Sequence, residues 1–93
     1  MKAPEDLPIY PIRTAAALTG VPARRIRSWE VEYRLLSPAR TRGGHRLYSS
    51  RDIALIRRIR HLMETESVPP RGIKARLEGQ SGARVEAKAP GSV

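Results

Sequence analysis

Apolar residues between positions 9 and 79 fall into short periodic groups, punctuated by glycine and proline. Ile9-Tyr10-Pro11-Ile12 is brief and interrupted by proline, which suits an edge strand or a packed lead-in. Thr14-Ala15-Ala16-Ala17-Leu18-Thr19 consists mostly of good helix formers, and Gly20 stands where a helix-ending residue belongs. Val21-Pro22 restarts the chain, since proline is tolerated at a helix start. The following helix is expected to run to about Tyr33, with Ile26, Trp29 and Tyr33 at i, i+3 and i+7 on one face. Two short helices broken by Thr19-Gly20-Val21-Pro22 predict a helix-turn-helix.

Beyond Leu35-Leu36-Ser37-Pro38 the period changes. Ala39-Arg40-Thr41 and His45-Arg46-Leu47-Tyr48 flank Arg42-Gly43-Gly44, a hairpin signal with a basic tip. Ser49 with Asp52 three residues on reads as a capping box. Ile53, Ile56, Ile59, Leu62 and Met63, widened by Leu55, then trace the longest helix, ending near Thr65. Val68-Pro69-Pro70 stops it and opens a short helix carrying Ile73 and Leu77, expected to end at Gly79. Residues 1–8 read as a flexible arm. Residues 80–93 offer only Val85 and Val93 as branched apolar groups and are expected to be a disordered tail. The prediction is one mostly α domain over 9–79: helix-turn-helix, β-hairpin wing, two further helices, hence a winged helix-turn-helix.

Composition sharpens this reading. Ninety-three residues make one small domain. With 4% aromatics and no Phe, the core must rest on Ile, Leu, Val and Ala and will be thin. There is no Cys, hence no disulfide framework or thiolate metal site. Neither an apolar run long enough for a membrane nor an apolar stretch after the first residues is found, so a cytoplasmic protein is the expectation. Charge is the most informative quantity. Residues 24–60 hold 11 Lys+Arg against 3 Asp+Glu, a net of +8 out of +9 for the whole chain. Such concentration is the footprint of a polyanion binder, with nucleic acid the first candidate.

Arg24, Arg25 and Arg27 on the second helix are candidates for base or phosphate contact, because guanidinium pairs bidentately with guanine and fits phosphate. The alternative is a solvated helix face. Arg40, Arg42 and Arg46 around Gly43-Gly44 are candidate phosphate clamps, since three like charges on one hairpin repel unless something neutralises them. His45 joins them in the wing. Trp29 divides between core and DNA contact, and Tyr48 between core and phosphate. Arg57, Arg58 and Arg60 read as decoration of an exposed helix face. His45 and His61 lie 16 apart without zinc spacing, and no catalytic constellation or cofactor motif is evident, so neither enzyme nor cofactor is expected.

Leu18-Thr19-Gly20-Val21, Arg27-Ser28-Trp29-Glu30 and the run from Leu36 to Ser49 together resemble the N-terminal DNA-binding domain of MerR-type transcription regulators over about residues 9–79. The resemblance implies a winged helix whose second helix enters the major groove while the wing touches the adjacent backbone. Carried over, Arg27 matches a DNA-contacting arginine, Trp29 an aromatic usually Tyr, and Ser28 a position often Tyr. Arg40 and Thr41 match wing positions near phosphates, and Arg46 and Tyr48 match the return strand, where both commonly reach the backbone. Pro22 replaces the usual Ser or Thr, Arg25 a common Thr, and Glu32-Tyr33-Arg34-Leu35 is one residue longer than the usual Glu-Gly-Leu spacing. Trp29-Glu30-Val31-Glu32-Tyr33 looks most like the cobalamin-dependent, light-responsive repressors, without their sensor.

Double-stranded DNA is the implied partner, with RNA polymerase at the promoter a second candidate and no membrane. No apolar heptads follow Gly79, so a monomer or weak dimer off DNA, cooperative on DNA, is expected. The chain reads either as a short member without effector domain or as the amino-terminal piece of a longer protein. Two rivals remain: a phage excisionase-like architectural DNA-binding protein, and a ribosomal-type RNA-binding protein.

Overall fold

The computed structural model describes residues 3–82. Strand β1 (Tyr10–Pro11) leads into helix α1 (Ile12–Thr19), followed by α2 (Ala23–Val31), strands β2 (Ala39–Arg40) and β3 (Arg46–Tyr48), α3 (Ser50–Glu64) and α4 (Pro70–Gly82). The strands form one antiparallel sheet in the order β1-β3-β2. Tyr10 pairs with Tyr48 and Pro11 with Leu47 on one side of β3; Ala39 pairs with Leu47 and Arg40 with Arg46 on the other. Pro11 thus lies on an edge strand, where its missing N–H costs no ladder bond.

The helix-turn-helix is fastened from within and from outside. Gly20 ends α1 at φ +76°, a left-handed conformation open to glycine, and its N–H donates to the Ala16 carbonyl at 2.8 Å. Thr19 turns its hydroxyl inward, donating to the Ala15 carbonyl at 2.8 Å and accepting from the Val21 N–H at 3.2 Å. Arginines from α3 meet the remaining carbonyls: Arg57 donates to Leu18 at 3.1 Å and Arg60 to Thr19 at 2.7 Å. Arg57 and Arg60 are therefore more than surface decoration. They place positive charge at the negative end of α1 and satisfy acceptors its own ladder leaves open.

Helix α2 starts directly after Pro22 and stops at Val31 rather than Tyr33. Arg34 adopts φ +54°, and the Leu35 N–H reaches back to the Trp29 carbonyl at 2.8 Å. The bond spans six residues, one more than in a Schellman ending, and the non-glycine residue in the left-handed position costs about 1 kcal/mol relative to glycine. The inserted residue noted in the sequence is thus absorbed in the helix terminus. In the wing, Thr41 donates its N–H to the His45 carbonyl, and Gly44 at φ +86° closes a three-residue loop of Arg42, Gly43 and Gly44.

Helix α3 opens with the expected capping box. Ser49 Oγ accepts from the Asp52 N–H at 3.1 Å, and the Asp52 carboxylate accepts from the Ser49 N–H at 2.9 Å. Its buried stripe of Ile53, Ile56, Ile59 and Leu62 packs with Ala15, Val21, Ile26, Trp29, Leu35, Leu36, Tyr48 and Ile73 into one core. Glu66 joins α3 to α4: its carboxylate lies 3.6 Å from His61 Nε2 and forms an ion pair with Arg76. Two expectations change. Within the arm, Pro4–Asp6 forms a single 3-10 turn, because Arg51 on α3 binds Asp6 at 2.6 Å and Glu5 at 3.4 Å. Helix α4 continues past Gly79 to Gly82, since an exposed glycine weakens a helix without breaking it. The rest of the expected tail, 83–93, lies outside the described residues.

Candidate nucleic-acid interface

The first turn of α1, the middle of α2 and the wing converge on an open groove whose lining includes Arg13, Thr14, Arg27, Thr41, His45 and Arg46. Each element is there for a local reason. Gly20 turns the chain so that α2 crosses α1, and burial of Ile26 and Trp29 leaves Arg27 on the exposed side of α2. The Arg42-Gly43-Gly44 loop folds the wing over, so that Thr41 and His45 flank its base. Thr41 Oγ1 accepts from the His45 N–H at 3.2 Å, which steadies that base. An N-terminal helix turn beside guanidinium groups suits an anion. Arg13 and Thr14 were not singled out in the sequence; their only signal was a position in the first turn of a helix that begins earlier than its alanine run.

The arginines divide into two kinds. Arg24, Arg27 and Arg42 are exposed and make no side-chain hydrogen bond or ion pair among the described residues. Arg25 is partly committed to the fold: its guanidinium lies 5.5 Å from the centre of the Trp29 ring, over its face. Arg40 and Arg46 are committed further. Arg40 Nη2 donates to Glu30 Oε2 at 3.0 Å and Nη1 to the Gly44 carbonyl at 3.0 Å, while Arg46 Nε donates to Glu30 Oε1. The repulsion between these cross-strand neighbours therefore needs no phosphate to relieve it. Glu30 on α2 supplies the opposite charge from within the protein. The sequence held one hint, an acid in an otherwise basic helix, but its partners lie 10 and 16 residues away.

Two aromatic candidates move into the core. Trp29 is 3% exposed and Tyr48 fully buried, so both are removed from the surface that could touch a duplex. A thin core without Phe has claimed its largest apolar groups. Ser28 is half-buried and donates to the Glu32 carboxylate one turn on.

The Tyr48 hydroxyl is buried without a hydrogen-bond partner among the described residues. Burial pushes its pKa up to about 12 from 10, against the opposing influence of Arg46. Above pH 10 an unfolded chain releases this proton while the folded protein keeps it. The stability present below pH 10 should therefore fall as pH climbs towards 12, by about 2–3 kcal/mol at one pKa unit per 1.36 kcal/mol. Tyr48→Phe is expected to be at least as stable as wild type at pH 8 and to lose less stability at pH 11. Urea titrations of both proteins at the two pH values test this; parallel losses would refute it.

Among the described residues no helix is long and apolar enough to cross a membrane. Residues 10–80 match the MerR HTH family regulatory protein pattern. The heat shock protein HspR of Streptomyces coelicolor, as it is named, is 40% identical over 74 residues, covering 80% of this chain and 48% of its own length. The HTH-type transcriptional repressor CarH of Myxococcus xanthus is 42% identical over 55 residues, 59% of this chain and 18% of its own. The HTH-type transcriptional regulator GlnR of Bacillus cereus is 40% identical over 57 residues, 61% of this chain and 43% of its own. The chain thus spans less than half the length of these relatives. Their similar identities, 40–42%, favour no single branch. A winged helix-turn-helix built around this groove, matched over 71 of 93 residues, makes the chain a member of the MerR HTH family of regulatory proteins.

Proposed function

We propose that this chain binds double-stranded DNA sequence-specifically as the DNA-contacting part of a bacterial transcription regulator, α2 in the major groove and the wing along the backbone beside it. The observation that carries this is the convergence of Arg27, the wing and the first turn of α1 on one open groove, flanked by exposed cations that the fold does not use. Arg24 and Arg25, on the first turn of α2, are the proposed base readers. Arg13, Arg27 and Arg42 are the proposed phosphate contacts, with Thr41 and His45 at the wing base. The names of the relatives, a repressor and a regulator among them, support the same reading. The protein would act at the nucleoid, with RNA polymerase at the promoter as a further partner, and assemble cooperatively on DNA from a monomer or weak dimer.

The test is selection of bound duplexes from a random pool, followed by salt titration on the selected site and sedimentation of the free protein. About six neutralised phosphates should give a log–log salt slope of about −5. A two-fold palindrome is the expected consensus. A direct repeat would favour the architectural alternative, and no consensus with a flat salt dependence would overturn the reading.

A further inference from the structure

We infer that Glu30 is a positioning residue that brakes DNA binding: its carboxylate holds Arg40 and Arg46 of the wing against the recognition helix and competes with duplex phosphates for their charge. The inference rests on the DNA-binding reading above. Glu30 lies on α2 three residues beyond Arg27, with its side chain only 16% exposed, and each carboxylate oxygen is taken by a different wing arginine. These arginines sit directly opposite each other on β2 and β3, so one carboxylate grips both strands of the wing. Arg40 also donates to the Gly44 carbonyl at 3.0 Å, which carries the grip to the loop. Arg46 is 19% exposed and lines the groove from its wing side. Tyr48, two residues along β3 from Arg46, is fully buried in the core.

Physical consequences follow from that placement. An exposed ion pair is screened and contributes little, but a half-buried carboxylate shared by two guanidiniums is costly to leave unpaired. A phosphate must displace Glu30 before either arginine counts as a free cation. A loosely seated duplex offers diffuse attraction only, which does not replace two close charge-assisted bonds. A cognate site, on which α2 seats fully, brings phosphates to hydrogen-bonding distance and makes the exchange favourable. Non-specific binding is almost wholly electrostatic, so withholding two cations lowers it, and the selected site, which must break the same bonds, is lowered by their cost. Glu30 is thereby a brake on affinity for duplex of either kind, exerted without touching a base.

The test uses the full chain, its selected duplex and a scrambled duplex of equal length. Glu30→Gln should bind scrambled DNA at least threefold more tightly, with a salt slope steeper by about one to two units. Affinity for the selected duplex should rise by at least the same factor, because that complex no longer gives up the bridge. Arg46→Gln should change scrambled binding little in the wild-type background and should reverse the gain in the Glu30→Gln background. That coupling separates the inference from a mere change in net charge, which would raise affinity in either background. Equal effects of Arg46→Gln in both backgrounds, or no gain in scrambled affinity in Glu30→Gln, would overturn it.

A measurement on the wild-type protein needs no variant to fold. The Arg46 Nε–H resonance should keep its bridged shift with scrambled duplex and move with the selected one; the same movement with both would also overturn the inference. If no duplex is selected at all, the DNA-binding reading fails first, and the two failures are distinguishable.

Discussion

Ile56→Ala is expected to cost about 2–5 kcal/mol of folding stability, the largest effect of any single truncation proposed for this chain. Ile56 is fully buried in the middle of the α3 stripe, between Ile53 and Ile59. Among the described residues the core it serves holds twelve buried apolar side chains, two of them aromatic. A domain of this size has a net stability of about 5–10 kcal/mol, so one such cavity removes a large share of it. Surroundings built from small and branched side chains offer little that can swing in to refill the space. Denaturant titration should show a lower midpoint at an unchanged slope. Val31→Ala, at a residue 64% exposed, should stay within about 0.5 kcal/mol of wild type. A cost below about 1 kcal/mol at Ile56 would mean that α3 is not the spine of the core.

The second large effect is on binding. Arg27→Ala should weaken binding to the selected duplex by about ten- to a hundredfold while leaving the melting temperature unchanged, as expected for loss of a charge-assisted contact of about 1–3 kcal/mol. Arg27 lines the groove, is exposed and has no side-chain partner among the described residues, so its removal deprives the fold of nothing. Arg25→Ala differs, because it also gives up the stacking over Trp29 and should lower both affinity and melting temperature. Binding titrations beside thermal melts check both. Undiminished binding by Arg27→Ala would move the contact surface away from the groove.

The sequence made the architecture legible wherever a device is local. The Ser49–Asp52 box, the Arg42-Gly43-Gly44 loop, the stop at Gly20 and the α3 stripe each involve residues within one or two turns, and each stands as expected. Contacts across the fold were not legible. The role of Glu30 depends on a wing 10 to 16 residues away, and that of Arg57 and Arg60 on a helix end 39 and 41 residues away. The same limit governs the site. That Arg27 lies on an exposed basic face follows from charge and helix register, but exposure of Arg42 and sequestration of Arg46 depend on how the hairpin lies against α2. Trp29 and Tyr48 show the competing demand: a ring suited to DNA contact is also what a Phe-free core most needs.

The contact between α3 and the Gly20 turn constrains how this chain can change over generations. A Cβ at Gly20 would stand 2.6 Å from Arg60 Nη1, and φ there is +76°. An alanine appearing first therefore meets both a strained backbone and an occupied space. A shorter residue at position 60 clears the space at the loss of one hydrogen bond, after which position 20 faces backbone strain alone. Because Arg60 Nη1 is the tip of a flexible side chain, it can swing aside at the loss of its bond to the Thr19 carbonyl, whereas the left-handed backbone penalises any side chain at 20. Glycine is therefore held in the helix-turn-helix by conformation first, and exchanging Arg60 does not free position 20.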